Sequence, residues 1–85
     1  MANLPILVIA GNYRQFVFWC REHNIDPRNT RKAVFLGEND SARRIQGRHG
    51  NPYIKIGTFY ERRDLLEVNQ HLHIIEAVPL EETDG

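Results

Sequence analysis

A single cysteine, Cys20, leaves the chain without an intrachain disulfide framework. No apolar run approaches the ~20 residues of a membrane-spanning helix. The opening Met-Ala-Asn-Leu-Pro puts no basic segment before the first apolar run and does not read as a signal peptide. These absences lead us to expect a soluble protein in a reducing cytoplasm, with no membrane partner. Net charge is lacking too: eleven Lys/Arg balance eleven Asp/Glu, which argues against strong non-specific DNA binding. Neither Gly-x-Gly-x-x-Gly nor Gly-Lys-Ser/Thr occurs, so the known phosphate-loop chemistries have no support. His23 and His49 lack a close Cys or His partner, and His71 and His73 face different ways if they lie on a helix. No Ser/His/Asp set stands out. No catalytic residue, metal or cofactor is assigned.

What the chain does have is three short apolar runs that end in glycine. They are Ile6-Leu7-Val8-Ile9-Ala10 before Gly11, Ala33-Val34-Phe35-Leu36 before Gly37, and Tyr53-Ile54-Lys55-Ile56 before Gly57. Runs of this kind fit parallel strands buried on both faces, with ligand-facing loops at their carboxyl ends. Between the first two, Asn12 is a good N-cap and Gln15 holds the capping-box position. Tyr13, Phe16, Val17 and Cys20 follow the spacing of one buried helical face, and Arg14, Arg21 and Glu22 fall away from it. Asn24 suits the left-handed residue that ends a helix. Glu38-Asn39-Asp40-Ser41 caps a short helix from about Ala42 to Gln46, before Gly47, Gly50, Asn51 and Pro52 break structure. Asp64 caps the last helix, whose stripe is Leu65, Val68, Leu72 and Ile75. A competing reading ends that helix near Gln70 and makes residues 72–78 a strand. We prefer the long helix with a short extended piece after it.

The order βαβαβα with right-handed crossovers predicts one α/β domain over residues 1–78. It is a small three-layer Rossmann-like unit with three parallel strands in the order 2-1-3, with room for an extra short strand near residues 72–78. Residues 79–85 read as an acidic, frayed tail. A chain of 85 residues buries only about 60–65 % of its unfolded surface. A small parallel sheet also leaves two open edges. A homo-oligomer or a protein partner is therefore expected.

The crevice between the first and third strands is the candidate ligand site. Gly11, Asn12, Tyr13 and Arg14 reach it from one loop, and Gly57, Thr58, Tyr60, Arg62 and Arg63 from the other. Arg14 and Arg62 would clamp a phosphate at the helix amino terminus, and Tyr13 or Tyr60 would stack on a base. The plainer reading is that these glycines end strands because turns need them. Two basic stretches, Arg28, Arg31 and Lys32, then Arg43, Arg44 and Arg48, would contact nucleic acid phosphates or simply form a solvated face. Residues 1–55 carry a net charge of +5 and residues 56–85 a net −5. That asymmetry fits either a basic binding face or a dipole that steers self-assembly. Cys20 reads as a buried structural thiol. Glu38 and Asp40 flank Asn39 as a weak metal motif, although capping accounts for Asp40. Phe18 lies off the buried stripe, and we expect it to pack in a chain–chain contact or under the carboxyl-terminal segment.

The segments Ile-Leu-Val-Ile-Ala-Gly-Asn-Tyr-Arg-Gln-Phe (6–16) and Ile-Gly-Thr-Phe-Tyr-Glu-Arg-Arg-Asp (56–64) resemble small Rossmann-like proteins encoded by actinobacterial tailed phages. The likeness spans most of residues 6–73. It implies a phage accessory protein acting inside a bacterial host, and it transfers no catalytic residue. A looser similarity to nucleotide-sensing Rossmann-like domains rests on the strand–glycine pattern alone. The expectation is a non-enzymatic module that self-associates or binds a host or phage protein. The rival is a nucleotide binder using the crevice, and nucleic-acid binding through the basic loops is a third reading.

Overall fold

Alternation along the strands explains the layering. The computed structural model describes residues 4–38 and 41–80. Its elements are β1 (Ile6–Ile9), α1 (Tyr13–Glu22), β2 (Ala33–Phe35), α2 (Ser41–Arg44), β3 (Pro52–Lys55), a 3₁₀ turn (Phe59–Glu61), α3 (Leu65–Ile74) and β4 (Val78–Pro79). The caps expected of Asn39 and Asp40, and their pairing with Glu38, lie outside the described residues, as does the tail from residue 81. Leu7 and Ile9 of β1 face one side, where they meet Val34, Leu36, Ile45, Val68, Leu72 and Ile75. Val8 and Ala10 face the other, where they meet Ala33, Ile54, Phe16, Trp19 and Cys20. One side of the sheet is thus covered by α1 and the other by α2 and α3, as a parallel sheet requires.

The strand order is β2-β1-β3-β4, with every pair parallel. This is the predicted 2-1-3 arrangement with one short strand added. Of the two readings of residues 72–78, the helical one is right: α3 continues to Ile74 and the extended piece begins at Val78. The Leu80 amide donates to the Tyr53 carbonyl at 2.7 Å, so the sheet runs past the boundary expected at residue 78. The short helix α2 is a single turn, ending two residues before the expected Gln46. Asn24 is left-handed, at φ 56°, as the helix-end signal implied.

Two prolines leave gaps in the ladder, and the chain handles each differently. Ile56 donates to the Ile9 carbonyl, and the two-residue repeat of a parallel ladder puts position 52 opposite the Pro5 carbonyl. Pro52 has no N–H to give. The Asn51 side chain supplies one instead, its Nδ2 donating to the Pro5 carbonyl at 3.0 Å. Asn51 is 1 % exposed, and its own Oδ1 is buried without a hydrogen-bond partner among the described residues, so filling the Pro5 acceptor leaves another acceptor unpaired at some cost. At the outer edge, Val78 and Leu80 turn their amides toward β3. Position 79 therefore faces outward, and a proline there gives an incoming strand no donor.

Candidate functional site

The crevice between β1 and β3 is filled by the chain itself. Asn12 is extended, and its side chain accepts from the Gln15 amide at 3.0 Å, starting α1. A capping box would then turn the Gln15 side chain back onto the Asn12 amide. Here it reaches further. Gln15 Oε1 accepts from the Gly11 amide at 2.8 Å and the Thr58 amide at 3.0 Å, and Nε2 donates to Thr58 Oγ1 at 3.0 Å. One amide side chain thus ties the β1 loop to the β3 loop, and its partner Thr58 lies 43 residues away in sequence.

The glycines serve this closure. A Cβ on Gly11 would run into Thr58 Oγ1, and a Cβ on Gly57 would stand 2.6 Å from Gln15 Cδ. Gly57 also has φ +59°, which L side chains rarely adopt. Gly11, Asn12, Gly57 and Thr58 are therefore brought together as predicted, around a glutamine that the site prediction omitted. The sequence signal for it was the box-position Gln itself, following a strand–glycine loop.

Arg62 does not point into the crevice as a phosphate clamp. It is 6 % exposed. Its guanidinium makes a two-pronged pair with Asp64, Nε to Oδ1 at 2.9 Å and Nη2 to Oδ2 at 2.7 Å. Nη1 donates to the carbonyls of Ala10 and Leu36, just beyond the ends of β1 and β2. The fork geometry of arginine matches this set of four oxygens. Asp64 stands at the N-cap position of α3, yet makes no side-chain cap bond; its carboxylate is committed to Arg62.

The remaining predicted ligand residues scatter. The Tyr13 ring packs 5.7 Å from Phe16 and 5.6 Å from Phe35, yet it is 53 % exposed, so at the first turn of α1 it lies outside the buried face that its spacing predicts. Tyr60 is exposed on the 3₁₀ turn, edge-on to Phe59. Arg14 lies on the outer side of α1. There, an apolar groove of about 360 Å³ runs between α1 and the segment after β3, lined by Phe18, Trp19 and Ile56 together with Arg14 and Glu22, and it borders the closure at Gln15 and Gly57. Phe18 is 65 % exposed, whereas the adjacent Trp19 is buried.

Arg28, Arg31 and Lys32 are exposed in the loop leading into β2, and Arg43 and Arg44 are exposed on α2. Arg48 is half-buried, its Nε donating to the Arg44 carbonyl at 2.9 Å. Cys20 is buried, and burial first, then the Asp26 charge, pushes its thiol above the ordinary value. Such a thiol is a poor nucleophile at neutral pH. Among the described residues no group of three His, Cys, Asp or Glu could hold a metal ion, and no helix is long and apolar enough to cross a membrane. Compared with protein-family models, curated proteins and solved structures, the chain finds no match.

Proposed function

We propose that this chain is a non-enzymatic protein-binding module. It works by self-association or by docking on a host or phage protein, in keeping with the phage resemblance of segments 6–16 and 56–64. The observation that carries this reading is Phe18, exposed beside an apolar groove on α1. An aromatic next to a concave apolar surface is the usual composition of an interface anchor. The nucleotide-binding rival loses its principal groups, because Gln15 occupies the crevice and Arg62 is spent on Asp64 and two carbonyls.

Light scattering over a range of concentrations, combined with capture from host lysate, tests the reading. Phe18→Glu is expected to abolish association or capture while leaving the melting temperature, compared at concentrations where both chains are monomeric, close to that of the parent chain. A strict monomer that captures nothing overturns it. A nucleotide at 100 times its Kd would add ~2.7 kcal/mol of stability, so a thermal-shift hit on nucleotides would favour the rival instead.

A further inference from the structure

Arg14, Phe18 and Glu22 are all exposed on α1. They are spaced i, i+4, i+8, so they form one stripe on the helix surface. Phe18 is the midpoint, and each charge lies about 6 Å from it along the axis. Neither Arg14 nor Glu22 has an ion-pair partner among the described residues. Both also oppose the helix macrodipole: a cation stands in the first turn and an anion at the last residue, with no acid in the first turn to offset it. Exchanging the two would favour the isolated helix, so the observed arrangement carries a local cost.

A two-fold axis through Phe18 turns that cost into complementarity. We infer that two copies of this chain pair through α1, antiparallel about Phe18, with Arg14 of each copy meeting Glu22 of the other and the two Phe18 rings meeting at the axis beside the two grooves. An isologous contact uses the same patch twice and must complement itself. This stripe does so, because reversing its direction exchanges a positive end for a negative one. The same operation sets Arg21 against Gln15, a neutral residue, so position for position no like charges oppose one another. Antiparallel packing also opposes the two macrodipoles. An unrelated partner would have to supply this charge pattern; a second copy already has it. The inference rests on the protein-binding reading of the α1 face and names its occupant.

The test is sedimentation equilibrium on the full chain and on four variants: Phe18→Glu, Arg14→Glu, Glu22→Arg and the double reversal Arg14→Glu/Glu22→Arg. The parent chain is expected to be dimeric and Phe18→Glu monomeric. Each single reversal puts two like-charged contacts across the axis and should weaken dimerisation about tenfold or more. The double reversal restores both pairs and should return the dimer to within about threefold of the parent. Each reversal also suits the macrodipole, so at concentrations where parent and variant are both monomeric the melting temperatures of the charge reversals should not fall below the parent's, which separates interface loss from unfolding. A dimer that the double reversal fails to restore overturns the antiparallel pairing and leaves self-association standing. A parent chain that stays monomeric, yet captures a host protein in a Phe18-dependent way, overturns the pairing and keeps the binding-module reading. A monomer that captures nothing removes both.

Discussion

The carboxyl end of the sheet and the outer face of α1 lie side by side and hold their functional groups in opposite states. At the sheet end, Gln15 joins Gly11 to Thr58, and Arg62 joins Asp64, Ala10 and Leu36. Partners that a ligand would otherwise provide are internal. On the outer face of α1, an aromatic ring stands in solvent beside a groove, and two opposite charges wait at either end. Topology places ligands in the crevice at a switch point of an open α/β sheet, but only side chains decide whether the crevice is vacant. In this chain Gln15 closes it, and the open groove lies just outside that closure, bordered by Gln15 and Gly57 themselves.

The comparison breaks most sharply at Arg62. Arg62→Leu takes the guanidinium away from the buried Asp64 carboxylate and from two carbonyls, and losing one partner of a buried pair costs about 3–5 kcal/mol. Against the 5–15 kcal/mol typical of a native domain, urea denaturation should show a large loss of stability. If the loss is below about 1 kcal/mol, the sheet end is not held by this cluster. Two phenylalanines on α1 sharpen the contrast next. Phe16 is fully buried, so Phe16→Ala should cost about 3–5 kcal/mol, whereas Phe18→Ala should stay within about 0.5 kcal/mol when measured in the monomer. Similar costs for the two would make Phe18 core and dissolve the difference between the faces.

Gly57→Ala is expected to cost about 1–2 kcal/mol for the left-handed backbone, with a further penalty from the clash with Gln15. Gln15→Ala removes that clash while leaving two loop amides without their acceptor, at about 1–3 kcal/mol. In the double variant the clash is gone, so the summed losses should be less than additive in a thermal or urea cycle. Additive losses would mean the glutamine does not fill the crevice in solution. The smallest effect concerns Cys20. Its pKa is raised in the folded chain, chiefly by burial and then by Asp26, so as pH rises the unfolded chain loses this proton first. Stability therefore declines as pH climbs through the ordinary thiol range. Cys20→Ala should show a shallower decline between neutral and alkaline pH in urea titrations.

Much of the fold was legible because its signals are local. Continuous apolar runs ending at Gly11, Gly37 and Gly57 imply parallel strands, and the 2-1-3 order follows from right-handed crossovers if the chain reverses direction at the first strand. The place of Phe18 off the buried stripe was legible too, from the helical period, although such a ring is expected to be covered and the chain leaves it 65 % exposed. What stayed hidden depends on distance. Gln15 sits where a capping box puts it, and nothing nearby tells that its acceptor and donor serve Thr58. Arg62 reads as an accessible phosphate clamp because arginine is almost never fully buried unless paired. Its carbonyl partners lie 52 and 26 residues away. Strand β4 is two residues long and contains a proline, which leaves no period to detect.

The reach of Arg62 also bears on the order of events during folding. Its guanidinium finds the Ala10 and Leu36 carbonyls together only after β1 and β2 have come into register, and it must close loops of 52 and 26 residues to do so. We therefore expect the cluster to form after the rate-limiting barrier, which a φ-value near zero for Arg62→Leu would show. Interactions absent from the transition state govern escape from the native basin rather than entry into it. Arg62 is thus a kinetic latch: losing it should multiply the unfolding rate while refolding proceeds at nearly its original speed.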